Sequence, residues 1–237
     1  MLYKTRGIVF KTIKFSETSV VSKIYTERFG LQSYIVNGIR SPKSKFKASL
    51  LQSLSLLDME VYYRENRNLN RLKEFQFSHI FAVLPFDLLK SSIGLFMIEV
   101  LQKSIHEEEK NTSLFYFIYE KIKSLDQNTR IPSNFLIQFL IELSIYLGFF
   151  PNGKFSKETP YFDLSEGTFV TSHQNNVALL DSSVTKMLSA QILKTPVVIS
   201  SVQRKILLDT LLQYYQIHIP NFSRPKSLQI LEEVFRN

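Results

Sequence analysis

The hydrophobic periodicity of this chain changes from strand-like to helical near Pro85, and that change limits the architectures open to it. Up to about residue 80, apolar residues fall in short runs rich in Val, Ile, Phe, Tyr and Thr, separated by turn-forming residues, which is the pattern of strands. The clearest run is Leu54–Tyr63. There Leu57, Met59, Val61 and Tyr63 line one face, while Asp58, Glu60 and Tyr62 line the other. Four more strands are predicted over Lys4–Phe15, Val20–Glu27, Leu31–Asn37 and Arg71–Phe77. Turns are marked by Gly30, by Gly38 with Pro42, and by Glu65-Asn66-Arg67-Asn68. The long gap from Gly38 to Ser53 holds, over Phe46–Gln52, a short helical turn with Phe46, Leu50 and Leu51 facing inward. Five strands with a short helix between the third and fourth make the layout of an OB-fold barrel, a fold that often binds single strands or oligosaccharides.

Beyond Pro85 the apolar residues recur at helical spacing. Ile93, Phe96, Met97, Val100, Leu101, Ser104 and Ile105 form one amphipathic stripe, and Leu114, Phe117, Ile118, Ile122 and Leu125 a second. From Ser133, an N-cap after Pro132, the chain is apolar nearly all round and predicts a central helix ended by Gly148 and Pro151. This run is interrupted by Gln138, Glu142 and Ser144 and is shorter than the roughly 20 residues that span a bilayer, so it reads as a buried helix. A hairpin is predicted from Tyr161–Leu164 and Thr168–Thr171 about Glu166-Gly167. Helices follow at Ser183–Leu193, at Ser200–Ile217 and after Pro225. The fold class is therefore α+β with two domains: a five-stranded OB-fold barrel over 1–80, and a helical bundle over 81–237 with a small hairpin insertion at 152–182.

Charge divides at the same place. Residues 1–80 carry 14 Lys/Arg against 6 Asp/Glu, so the whole net charge of +8 lies there, and the remaining 157 residues are neutral. A field confined to one module suits a polyanion-binding domain. Its densest stretch, NGIRSPKSKFKASLLQ, places Arg40, Lys43, Lys45 and Lys47 within eight positions with no acid among them. In an extended chain the three lysines project to one side, spaced for consecutive phosphates, with Arg40 able to fork onto one. Arg6, Lys23 and Arg28 extend this candidate nucleic-acid-binding set, and Tyr34 and Phe46 are the candidates for stacking on bases. For Phe46 an anchoring role in the core is the stronger reading.

No catalytic pattern emerges. The chain lacks a Walker-type loop, H-E-x-x-H, G-x-S-x-G and a Gly-rich dinucleotide fingerprint, and has only seven glycines to build one from. His79, His106, His173 and His218 are scattered and read as structural or solvated; Glu107-Glu108-Glu109 reads as a solvated helix end. There is no cysteine, which excludes thiolate metal sites and fits a reducing cytosol. The N-terminus MLYKTRGIVFK lacks an apolar export core. We expect no enzyme activity, no cofactor and no metal.

The run RGIVFKTIKFSETSVVSKIYTERFG, followed by VNGIRSPKSKF and LQSLSLLDMEVYYR, resembles the N-terminal domain of the RecO family of bacterial recombination mediators. YLGFFPN at 146–152 and SRPKSLQILEEVF resemble the ends of that family's central and last helices, so the likeness runs through the whole chain. It implies an OB-fold with a helical domain, a bacterial cytoplasmic, nucleoid-associated location, and binding to single- and double-stranded DNA without catalytic turnover. It also implies annealing of complementary strands and, with RecR, help to RecA in displacing the single-stranded DNA-binding protein SSB, whose acidic C-terminal tail such proteins contact. Some members hold a four-cysteine zinc site after the central helix. Here Asn152–Asp181 has no cysteine, and the hairpin is expected to hold without metal. Arg204 and Lys205 are the cations nearest in sequence to a tail-binding groove between the central helix and Ser200–Ile217. Two alternatives stay open: an RNA-binding OB-fold module, and a protein–protein adapter whose basic barrel meets an acidic partner.

Overall fold

One long strand, β1 (Leu2–Lys14), pairs along its first half with one neighbour and along its second half with another, and this closes a barrel. The computed structural model describes residues 1–39, 41, 48–65, 67–171 and 178–234. β2 (Val20–Thr26), β3 (Gly30–Val36), β4 (Leu56–Tyr62) and β5 (Asn70–His79) complete the barrel in the order β1-β2-β3-β5-β4. All neighbours are antiparallel except β3 and β5, which run parallel through Tyr34↔Asn70 and Ile35↔Arg71. A 3₁₀ turn, Ala48–Leu51, lies between β3 and β4, so the topology is that of the OB-fold. Val9, Ile24, Tyr34, Val36, Leu57, Met59, Val61, Leu72 and Phe75 fill the interior.

The alternation expected of the fourth strand is present: Leu57, Met59 and Val61 are buried, and Asp58 and Tyr62 are exposed. β1 does not alternate evenly. Its register against β2 shifts between Val9 and Lys11, so Phe10 is an extra residue in the strand. Phe10 turns out of the barrel to stack on Tyr25, which stacks in turn on Phe115 of α2 (Thr112–Gln127). Lys11 can then point outward as well, while Thr12 is bonded to Ser22 and to the Leu51 carbonyl.

The chain packs as two units: Met1–Thr129 with Pro225–Asn237, and Arg130–Arg224. The first holds the barrel, α1 (Leu88–Ser104), α2 and α6 (Ser227–Val234). Glu99 of α1 accepts from the Lys226 and Ser227 amides and the Ser227 hydroxyl, which caps α6 from a neighbouring helix. Burial pushes the Glu99 carboxyl up, and the bonds from Ser227 outweigh it, leaving the group below its ordinary value. Asp126, near the end of α2, accepts from the amides of Ala82, Val83 and Leu84 and meets His79 Nε2 at 3.1 Å. One carboxylate thus shapes the link between β5 and α1.

Gly30 opens β3 with φ 63°, and a Cβ there would lie 2.3 Å from the Glu109 carbonyl. Leu31 donates to the Glu107 carbonyl. The triple-glutamate segment therefore exposes its side chains while its backbone lies along the barrel.

In the second unit α3 (Phe135–Tyr146) is capped at Asn134, not at Ser133. The Phe135 amide reaches back to the Pro132 carbonyl, and Asn134 bonds Gln191, so Ser133 stays outside the helix. The hairpin is β6 (Tyr161–Asp163) with β7 (Thr168–Val170), and a short strand not foreseen, β8 (Leu179–Leu180), pairs on the other side of β6. Phe162 packs edge-on against Phe169 and Tyr214, holding the hairpin on α5 (Ser201–His218). α4 (Ser182–Ile192) is capped by Asp181, and α5 by a Ser200/Gln203 capping box. No helix among the described residues is long and apolar enough to cross a membrane.

Candidate nucleic-acid interface

Strand register brings one outward row of side chains together around the barrel. Ile13 lies opposite Val21, Val21 opposite Ile35, Ile35 beside Arg71, and Arg71 opposite Tyr62. Ile13 is 50% and Tyr62 44% exposed, and Val21 and Ile35 are half-buried. Apolar side chains in a row on a solvent-facing sheet form a surface on which flat rings can rest.

Cations flank this row. Lys11 and Lys23 are directly opposite each other on β1 and β2, both exposed, with Ser33 next in line on β3. Like charges paired across a ladder repel, so the arrangement costs stability unless an anion sits between them. Lys14 and Phe15, both exposed, end the strand beside the Ser16–Ser19 turn. On the other side of β3, Arg64 and Arg67 of the β4–β5 connection and Arg71 of β5 are all exposed. Lys4 and Lys73 belong elsewhere, because both lie on Glu60, at 3.6 and 3.0 Å.

The expected binding residues take different places. Lys23 lies on this face, as described. Arg28, in the β2–β3 turn, is exposed and lies over Tyr3, 4.9 Å from the ring centroid, at the edge of a cluster in which Phe29 stacks on Tyr63. Arg6 is committed internally. Its Nε and Nη2 donate to the two Glu27 oxygens at 2.9 and 3.0 Å, and its guanidinium lies over the Tyr116 ring. The hydrogen bond to Glu27 holds Arg6 far above its ordinary value, and the bond from Arg6 holds Glu27 below its own. The fork that a phosphate would use is occupied. Arg40, Lys43, Lys45, Phe46 and Lys47 lie outside the described residues.

Tyr34 is a correction: it is 0% exposed, inside the barrel, and cannot stack on a base. On β3 the inward face is Gln32, Tyr34 and Val36, and the alternation of that strand does not reveal which of its two mixed faces is the core. The ring that the register brings to the surface is Tyr62. It stands on the polar face of its own strand, which is the signal that was available.

A concavity of about 610 Å³ lies on β1, β4 and β5 and has the opposite character to this face. Glu27, Asp58, Glu60 and Glu74 line it against Lys4 and Arg6. The barrel therefore has an acid-rich side and an acid-poor side.

In the second unit, the groove expected between α3 and α5 is filled. Tyr215 of α5 is wholly buried and donates to the Leu140 carbonyl, with Leu207 and Leu211 buried on the same helix. Arg204 bonds the Ile199 carbonyl in the first turn of α5, and Lys205 is exposed. Beside them Val198 is 99% exposed, and Val202 and Ile206 are exposed too.

Among the described residues the histidines enter no common site. His79 faces Asp126, His106 bonds the Lys103 carbonyl, His218 lies between Phe149 and the Leu164 carbonyl, and His173 lies outside the described residues. Among the described residues no group of three or more His, Cys, Asp or Glu gathers to hold a metal ion.

A five-stranded OB barrel with a basic face and helices after it places the chain among OB-fold proteins, a class that takes oligonucleotides or oligosaccharides. The relatives narrow that class. Residues 1–81 match the family described as recombination protein O N terminal, and residues 85–157 match recombination protein O C terminal. The chain is 36% identical over 250 residues to the DNA repair protein RecO of Flavobacterium psychrophilum, covering 99% of this chain and 100% of that protein. It is also 36% identical over 240 residues to DNA repair protein RecO of Phocaeicola vulgatus, with the same coverage. The chain belongs to the RecO family of DNA repair proteins.

Proposed function

We propose that this protein is a non-enzymatic recombination mediator that binds single- and double-stranded DNA and anneals complementary strands. Together with RecR it helps RecA load on single strands coated with SSB. The observation that carries the reading is the acid-poor barrel face, where Lys11 and Lys23 oppose each other beside the Ile13–Val21–Ile35 row. Two cations held together at their own cost, next to a surface for flat rings, suit a polyanion that also carries bases. Family membership supports the same reading. Arg40, Lys43, Lys45 and Lys47 add to the field by sequence.

The acidic SSB tail is assigned to the start of α5. There Lys205 and Arg204 adjoin exposed Val198, Val202 and Ile206, supplying cations for carboxylates and apolar surface for terminal side chains. The deciding experiment is annealing of complementary strands coated with cognate SSB, with and without this protein. Acceleration is expected. Failure to anneal, or to bind mixed-sequence single strands in a salt-dependent way, would leave the adapter reading in its place. Matched RNA competing better than DNA would favour the RNA-binding module. Charge reversal at Arg204 and Lys205 in the full chain is expected to weaken capture of a tail peptide without lowering affinity for naked strands.

A further inference from the structure

The β4–β5 connection borders a pocket of about 410 Å³, lined by Ile35, Tyr62, Arg64, Arg67 and Arg71, with Met1 at its margin. Three features distinguish it from a solvated basic loop. The first is charge without compensation. None of the three guanidinium groups makes a side-chain hydrogen bond or ion pair to another described residue, and Glu65 is the one acid in the connection. The Met1 ammonium, which bonds the Tyr63 carbonyl, adds a further positive charge at the rim.

The second feature is that the loop is built. Asn70 is buried at its far end, where its Oδ1 accepts from the Arg64 amide and its Nδ2 donates to the Arg67 carbonyl and to Gln32 Oε1. One side chain thus fixes the backbone at both arginine positions, which lowers the entropy lost when they bind. The third is the floor. Arg71 stands between Ile35 and Tyr62 across three adjacent strands, so an apolar side chain and an exposed phenol ring flank a cation whose backbone position the ladder sets. The volume is that of a small-ligand site, and arginines beside a ring match a phosphate joined to a base.

We propose that this pocket is a nucleotide subsite, in which one nucleotide of a single strand stacks its base on Tyr62 while Arg64, Arg67 and Arg71 hold the adjoining phosphates. The assignment rests on the DNA-binding reading above and extends it. Through Ile35 and Val21 the pocket joins the Lys11–Lys23 face, so a strand bound there continues into it.

The test uses the full chain and oligothymidylate carrying 5-iodouracil, with affinity measured by fluorescence anisotropy across a salt series and cross-links mapped by mass spectrometry. A cross-link at Tyr62 is expected. Tyr62→Ala should weaken binding by about 5- to 150-fold, whereas Tyr62→Phe, which keeps the ring, should stay within about twofold of wild type. The folded triple variant R64A/R67A/R71A should flatten the log–log salt slope by roughly 2, at about 0.7 per lost phosphate contact. Unchanged affinity and slope in the triple variant, with wild-type binding intact, would overturn the subsite and leave the DNA-binding reading standing. No binding by wild type would remove both. A triple variant that loses an acidic peptide but keeps DNA would overturn the nucleotide assignment in favour of a peptide site.

Discussion

Replacing Asp126 tests whether the link between barrel and helices depends on one buried carboxylate. The side chain is 2% exposed and accepts from the amides of Ala82, Val83 and Leu84 at 3.2, 2.9 and 2.8 Å, with His79 Nε2 as a fourth partner. Asp126 also sits at the carbonyl end of α2, where a negative charge is unfavourable. Lys90 offsets this by donating to the Asp126 and Asn128 carbonyls, each at 2.8 Å. Burial pushes the carboxyl up, but the three amides and His79 outweigh it and hold the group at about 2, below its ordinary 3.8. By linkage that depression contributes about 2 kcal/mol at neutral pH.

Asp126→Ala also strands the buried Leu84 amide and frees the other donors. The total cost is therefore expected on the order of 3–5 kcal/mol. Asp126→Asn keeps the volume and one acceptor and should lose about 2 kcal/mol. Because the folded-state value is lowered, the ionic share is present above about pH 4 and disappears as pH falls through about 2. Urea unfolding followed by circular dichroism, at about pH 6 and about pH 2.5, measures both effects. The gap between wild type and Asp126→Asn should narrow at the lower pH. An Asp126→Ala protein within about 0.5 kcal/mol of wild type, or a gap that ignores pH, would refute the reasoning.

Three further outcomes are expected from the same geometry. Gly30→Ala forces a Cβ against the Glu109 carbonyl at positive φ, and should lower stability by roughly 1–3 kcal/mol in a urea titration. Tyr34→Phe removes a buried hydroxyl that finds no hydrogen bond among the described residues; stability should be equal or higher by up to about 1 kcal/mol, with single-strand affinity unchanged, and weaker binding would restore Tyr34 as a contact. Lys11→Ala with Lys23→Ala relieves a cross-strand repulsion, so the melting temperature should hold or rise slightly while single-strand affinity falls and the salt slope flattens by about 1.4; a fall in stability without loss of affinity would make the pair structural.

The five strands of the barrel are legible in the sequence because each carries its own local signal: two-residue alternation on β4 and Gly30 at the β2–β3 turn. What joins them is less legible. The parallel contact of β3 with β5 rests on two residue pairs far apart in the chain, and no local pattern announces it. The bulge at Phe10 hides in a run of mixed residues, yet it lets one strand send Phe10 toward α2 and Lys11 to solvent. Asp126 reads as a polar residue at a helix end, because its partners lie more than forty positions away. Similarly, α6 follows the second unit in sequence and packs with the first, held by Glu99.

Charge shows the same division between composition and arrangement. The excess of +8 in the first 80 residues is plain from counting, but counting weights every cation equally. The fold removes Arg6 by pairing it with Glu27, and places Lys4 and Lys73 on Glu60. It then gathers the carboxylates of Glu27, Asp58, Glu60 and Glu74 into one concavity on β1, β4 and β5. Four of the six acids in the first 80 residues are thereby gathered there, while Glu17 stays in the β1–β2 turn, Glu65 in the β4–β5 connection, and the exposed Glu107–Glu109 segment along the start of β3. Lys11 and Lys23 face each other across β1 and β2, and the three arginines after β4 have Glu65 as the one acid in the β4–β5 connection. For a polyanion the local field matters more than the sum, since phosphates within a Debye length of about 8–10 Å feel the nearest charges and little else. A strand following the proposed face thus meets Lys11, Lys23 and the arginines with few carboxylates beside them, while the concavity on β1, β4 and β5 presents four. That polarity gives the barrel a direction, which the total charge of the chain does not contain.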